Sequence, residues 1–304
     1  MKKHLFFIIY TILLISASVF SVLSTFVITK EKTDVPVLGT EPTIPTEIEE
    51  EKGKFFKDES GNKCYKDSNI EIKIIQKREY ETEIYIADIK IKDFHLMKTA
   101  LANDTFGLNV KEKPSKMAER VNAILAINGD YYSFREKGYV IRNGLLYDPN
   151  RVPRDSKSDI LIINNDGSFT IQKEIKETST AIYERGAWQV FCFGPGLISN
   201  NEILVNEKSE VAAYKASNPR TAIGYISEGH YVMVVSDGRT TASAGLSLYE
   251  LALVLKDYGV KDAYNLDGGG SSVMIFNGKI INQPTSNGED IRERSSSDIV
   301  YIGY

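Results

Sequence analysis

Residues 247–272 read SLYELALVLKDYGVKDAYNLDGGGSS, and this stretch decides the fold class. Ser247 and Glu250 have the spacing of a capping box, in which each side chain satisfies a backbone amide at a helix start. Leu251, Val254, Leu255 and Tyr258 then recur at helical spacing and Gly259 closes the turn, which predicts a helix with one apolar stripe. Residues 261–266 continue as a strand that runs into Asp267, three glycines and two serines. A helix feeding a strand that ends in a carboxylate, a glycine loop and two hydroxyls predicts a site for a polar ligand at a rigid strand terminus.

Outward from that stretch, apolar β-branched runs recur at 70–75, 84–91, 124–127, 160–163, 221–226, 231–235, 273–281 and 299–302. Hairpin signals separate several of them: Asn165-Asp166-Gly167, Ser227-Glu228-Gly229 and Asn277-Gly278. A second, shorter helix is expected at 114–121, opened by Pro114. The reading is an α+β fold, a mixed, strand-rich sheet core with a few packed helices, preceded by one transmembrane helix.

That helix is read from residues 5–29, 25 positions without a charge, preceded by Lys2, Lys3 and His4. About 20 apolar residues suffice to cross a bilayer core. Basic residues ahead of the stretch predict a cytoplasmic N-terminus and an extracytoplasmic remainder, in a single-pass protein of the cell membrane. Ser16-Ala17-Ser18 would suit a signal-peptide cleavage site, but apolar sequence continues past it, which favours an uncleaved anchor. Residues 30–54 carry three prolines and the acidic run from Glu47 to Glu51, a composition that predicts an extended linker holding the folded part away from the membrane. The organisation is therefore an anchor at 1–29, a Pro/Thr/Glu-rich linker at 30–54 and one domain over 55–304.

With 37 basic against 41 acidic side chains in 304 residues, the net charge of -4 offers no bulk attraction for nucleic acid, and none is expected as a partner. Two cysteines, Cys64 and Cys192, exclude a disulfide-stapled scaffold, and three histidines give little support to imidazole-rich metal or triad chemistry.

Asn, Asp, Arg and Gly concentrate where strands end: at Asn128-Gly129-Asp130-Tyr131, Asn218-Pro219-Arg220-Thr221, Ser236-Asp237-Gly238-Arg239 and 265–272. Gly268, Gly269 and Gly270 free their backbone amides to approach an anion, with the hydroxyls of Ser271 and Ser272 beside them. Arg220 reads as a clamp on phosphate or as a structural ion pair. Asp267 and Asp237 are the carboxylates best placed for catalysis, although Asp237 also suits a plain turn. No cofactor is demanded by the pattern and no metal ligands are assigned, but one alternative has Asp237, Asp267 and Asn265 offering oxygens to Ca²⁺ or Mg²⁺.

The order Asn128-Gly129-x-Tyr131, Pro219-Arg220-Thr221-Ala222-Ile223-Gly224, Val235-x-Asp237-Gly238-Arg239, Gly245-Leu246-Ser247, Asn265 to Ser272 and Asn282-x-Pro284 resembles the phosphodiester glycosidase family from about Ile84 to the C-terminus. Asp130 departs from the glycine usual there. The resemblance implies hydrolysis of a sugar-1-phosphodiester, here in a cell-surface glycan or phosphopolymer, as in bacterial relatives labelled exopolysaccharide biosynthesis proteins. It implies Asp267 and Asp237 as catalytic groups. Asn128, Gly129, Arg220, Thr221, Arg239, Asn265, Gly268, Gly269, Gly270, Ser271, Ser272 and Asn282 would bind substrate. A non-catalytic module binding cell-wall phosphopolymer is the competing reading.

Overall fold

The computed structural model describes residues 2–32, 36–39, 53–210 and 217–304. A nine-stranded antiparallel sheet forms its centre, in the order Glu202–Ile203, Gly196–Ser199, Asp262–Asn265, Arg220–Ser227, His230–Ser236, Thr82–Ile91, Ile70–Glu79, Lys63–Lys66 and Lys54–Lys57. The fold is α+β, as expected, and the apolar runs fall on strands. The run at 273–281 is divided at Asn277-Gly278 into the hairpin Met274–Phe276 and Lys279–Ile280.

The strand His230–Ser236 is apolar on both faces because both are covered. On one face, Ile84, Ile86, Val232 and Val234 pack against Leu248, Leu251, Val254 and Leu255. Those leucines belong to the expected helix, Leu248–Asp257, and its capping box is present: the Ser247 hydroxyl accepts from the Glu250 amide and the Glu250 carboxylate accepts from the Ser247 amide. On the other face, Ile72, Ile89 and Met233 meet Ile127, Met274 and Val300 of a five-stranded sheet. The far side of that second sheet is closed by Met117 and Ala118 of the short helix Pro114–Arg120. A six-stranded sheet packs alongside, its core built from Ile141, Ile160, Ile162 and Val190.

The ends of two sheets meet where Asp262–Asn265 and Leu125–Asn128 both run out. The Asp267 amide donates to Gly129 O (3.2 Å), and the Asn128 side-chain amide donates to Asp267 O (2.6 Å). This juncture places the candidate site.

The N-terminal helix spans Lys2–Phe26 and over Phe6–Thr25 is long and apolar enough to cross a membrane. The segment after it departs from a free linker in its described parts. Lys30–Glu31 pairs with Gly107–Leu108, Val37–Leu38 pairs with Leu146 and Tyr147, and Lys32 Nζ lies 3.0 Å from the Asp148 carboxylate. Residues 33–35 and 40–52, with the acidic run, lie outside the described residues. Cys64 and Cys192 are both buried free thiols, and burial pushes both up from the ordinary thiol value.

Candidate active site

A cleft of about 520 Å³ opens at the sheet juncture, lined by Tyr131, Phe193, Asn218, Arg220, Arg239, Ser286, Arg294 and the loop from Asp267 to Gly270. Its chemistry is three guanidinium groups around one carboxylate. Among the described residues Asp267 is the only acid in the lining. Its side chain is 9% exposed, and burial raises its pKa to about 6, against the opposing pull of Arg294 and hydrogen bonds from Ser271 and the Gly268 amide. Arg294 Nη2 lies 3.6 Å from Asp267 Oδ2 and also donates to the Ser271 hydroxyl (2.6 Å), so Ser271 bridges the cation and the acid.

Arg220 and Arg239 are held from behind. Arg220 Nε donates to Leu246 O (2.8 Å), and burial lowers its pKa to about 10, which leaves it cationic at neutral pH. Arg239 sits at φ 64, a strained backbone for a non-glycine residue. There its guanidinium reaches Asn218 Oδ1 (3.0 Å) and Ser286 O (2.7 Å). Tyr131 stacks on Phe134 with centroids 4.6 Å apart, and its other neighbour Phe193 meets it edge-on, giving the cleft one aromatic wall. A flat apolar wall beside charged donors suits the face of a sugar ring attached to an anion.

Gly268 and Gly270 allow close approach of the chain to its neighbours. A Cβ on Gly270 would overlap the Ser286 hydroxyl, and one on Gly268 would lie 3.0 Å from Pro219 O. The Gly269 amide donates to Pro219 O, while the Ser271 and Ser272 amides donate to Gly268 O and Gly269 O. These three amides are therefore engaged within the protein, and three arginines line the cleft beside them.

Several expected ligand-binding residues turn out to be braces. Thr221 Oγ1 donates to Asn128 Oδ1 (2.8 Å), both fully buried. Gly129 has no room for a side chain against the Asp298 carboxylate. Asn265 Nδ2 donates to Gly194 O (2.7 Å), and Asn282 bridges Met274 N, Ser272 O and Asp237. Ser272 is wholly buried and outside the lining. Asp237 is placed differently from the expectation. Its carboxylate accepts from Gln283 N (2.8 Å), Asn282 Nδ2 (3.2 Å) and the more distant Tyr85 hydroxyl, and it does not line the cleft. Consequently the three oxygen donors of the divalent-cation reading do not share the cleft, which only Asp267 lines.

Sequence reasoning missed Arg294, Ser286 and Phe193 in the lining, and it singles out the segments holding Tyr131 and Asn218 without giving either residue a role. Arg294 stands in Arg292-Glu293-Arg294, a mixed-charge run that looks like any solvated surface. It also missed a buried ion network beneath the aromatic wall. Asp130 accepts from Arg135 (2.6 Å) and lies 3.6 Å from Arg142, while Arg142 Nε donates to Asp298 (2.8 Å). The two arginines and the amides of Cys192 and Tyr131 hold the Asp130 carboxyl down at about 2 despite burial, whereas burial raises Asp298 to about 6. Asp298 Oδ1 accepts from the Asp130 amide (2.7 Å), so the acid that departs from the expected glycine sits in a braced turn carrying Tyr131.

The family model for phosphodiester glycosidase matches residues 121–303, a span that includes the entire lining of the cleft. The chain belongs to that family. Among curated proteins, the SPbeta prophage-derived uncharacterized protein YomE of Bacillus subtilis is 29% identical over 203 residues, 66% of this chain and 31% of its own length. The mouse N-acetylglucosamine-1-phosphodiester alpha-N-acetylglucosaminidase is 32% identical over 106 residues, 31% of this chain and 20% of its own. The chain thus spans under a third of these relatives. The catalytic domain of the zebrafish N-acetylglucosamine-1-phosphodiester alpha-N-acetylglucosaminidase, solved auto-inhibited by its pro-peptide, aligns with a TM-score of 0.60 at 20% identity, covering 91% of this chain and 88% of that one, which shows a shared fold.

Proposed function

We propose that the protein is a membrane-anchored, extracytoplasmic glycosidase that hydrolyses a sugar-1-phosphodiester of a cell-surface glycan or phosphopolymer. The observation that carries this reading is the cleft in which Asp267, its pKa raised to about 6, faces Arg220, Arg239 and Arg294. In glycoside hydrolysis two carboxyl groups usually divide the work, one protonating the departing oxygen. Here the leaving group is a phosphomonoester, already a stable anion, and guanidinium groups take the place of the acid. Asp267 then acts as the base that takes a proton from the attacking water, or faces the developing positive charge on the sugar.

The proton affinity of Asp267 supports an enzyme over a passive binding module. A receptor for phosphopolymer needs the arginines alone. A buried carboxylate next to the phosphate would repel the ligand and, by the size of its pKa rise, lower stability by about 3 kcal/mol at neutral pH. The helix over Phe6–Thr25 supports the anchor.

The test incubates the detergent-solubilised full chain with a panel of defined sugar-1-phosphodiesters and identifies the product. Free sugar plus phosphomonoester is expected. Sugar phosphate would mean P–O cleavage and a different reaction, and saturable binding with no product would favour the binding module.

A further inference from the structure

The N-terminal helix does not end on a loose linker. Asn109, 5% exposed and at φ 58, directs its side-chain amide to Thr25 O (3.1 Å) and Ile28 O (3.0 Å). Just beyond, Lys30–Glu31 pairs with Gly107–Leu108 and Lys32 reaches Asp148. A 25-residue linker, fully extended, would let the domain range ~80–90 Å from the bilayer. The strap removes that freedom and holds the domain against the end of the membrane-spanning helix.

The same residue points to the cleft. The Asn109 amide donates to Ser133 O (2.7 Å), and Ser133 is two positions from Tyr131, which lines the cleft. Chain geometry therefore keeps the Tyr131 Cα within about 15 Å of the Asn109 Cα. Lipid phosphates lie only about 5–8 Å beyond the hydrocarbon core. Along the segment that Arg151 ties down through the carbonyls of Arg135 and Lys137, the side chains of Tyr131, Glu136, Lys137 and Val152 are exposed. Exposed aromatic and basic side chains together favour a membrane interface.

We propose that the substrate is itself membrane-resident: a sugar-1-phosphodiester whose phosphate carries a lipid chain, presented to the cleft at the bilayer surface. This rests on the glycosidase reading and adds the substrate's location. In the reaction the bond between the anomeric carbon and the phosphate oxygen breaks, and its electron pair leaves with the lipid phosphate. Water supplies the new anomeric hydroxyl, and its other proton passes to the Asp267 carboxylate and then to solvent.

The experiment reconstitutes the full chain into vesicles of phosphatidylethanolamine and phosphatidylglycerol. It compares N-acetylglucosamine-1-phospho-polyprenol with the methyl ester of N-acetylglucosamine-1-phosphate. A second form carries an insertion of about 20 Gly/Ser residues between Thr29 and Lys30 together with Asn109→Gly, which keeps Lys30–Lys32 on the domain but removes both the short connection and the side-chain hold on Thr25 and Ile28. The expected result is at least a tenfold preference in kcat/KM for the polyprenyl diester, lost on insertion, with turnover of the methyl ester unchanged within twofold. Equal rates on both diesters, or a preference that survives the insertion, would overturn the proposal while leaving the glycosidase reading intact. No turnover of either diester would overturn that reading and this proposal with it. A fluorophore at Lys137→Cys checks the geometry without activity: headgroup-labelled quencher lipids should quench it in the native form and not in the insertion form, and quenching in neither would overturn the placement.

Discussion

Replacing Asp267 by Asn should make the protein more stable and inactive. The ionised carboxylate is buried, and its pKa stands near 6 in the folded protein against an ordinary aspartate value of 3.8. A difference of that size corresponds to about 3 kcal/mol. The folded state binds the proton more tightly than the unfolded chain, so this group stabilises the fold fully below about pH 4, and that contribution is lost as pH rises to about 6. Above that window the native protein holds a charge it would fold better without. Asn removes the charge but places an amide near Arg294 and the Gly268 amide, so the net gain near pH 8 should be about 1–3 kcal/mol, or a few degrees in melting temperature. The assay is thermal or urea unfolding of both proteins from about pH 4 to pH 8, with sugar release measured alongside. The stability difference should be largest at the alkaline end and should shrink as pH falls through 6. Turnover should drop at least ~10³-fold, and the wild-type rate should fall below about pH 6 as the base protonates. A variant that is less stable than wild type at every pH would refute the burial argument, and one that keeps wild-type turnover would refute the role given to Asp267.

Arg294→Ala should lower kcat/KM by about 10- to 100-fold and move the acid limb of the pH profile upward, because the guanidinium 3.6 Å away opposes protonation of Asp267; kcat/KM against pH reads both. Gly270→Ala should reduce stability by about 1–3 kcal/mol and weaken substrate binding, since its Cβ would overlap the Ser286 hydroxyl at the cleft wall; urea unfolding and KM check it. Arg142→Met should destabilise by about 3–5 kcal/mol at neutral pH by leaving Asp130 and Asp298 buried without their shared cation; unfolding at neutral pH measures the loss, and a double variant with Asp298→Asn should recover part of it.

Much of the fold was legible because its signals are local. The capping box at Ser247 and Glu250, the apolar stripe after it and the hairpin turns each depend on neighbours within a few residues, and each strand's continuous apolar run reports burial on two faces. Asp267 was legible for the same reason, a carboxylate at a strand end before three glycines. Asp237 carried an almost equal local signal, Asp-Gly after an apolar strand. What separates them is pairing: the Asp237 amide is fixed to Glu83 O and its carboxylate meets residues 282 and 283, while Asp267 is drawn to Gly129 and the cleft. Three glycines before two serines have the local pattern of an anion nest, and only the neighbouring carbonyl of Pro219 shows that the Gly269 amide is already engaged.

By itself, then, the sequence determined the strand-rich α+β class, the apolar N-terminal helix, and Asp267 and Arg220 as candidate site residues at strand ends. Tertiary structure decided which of two similar aspartates faces the cleft, that Arg294 joins it from 27 residues away in sequence, that Asn128, Thr221 and Asn282 brace the site, and that the linker begins as a strap on the domain. The physical reason is that helix caps, turns and burial patterns are set by interactions between near neighbours. Side-chain direction at a site, and the partners that shift a buried carboxylate's proton affinity, depend on which strand ends the sheets bring together.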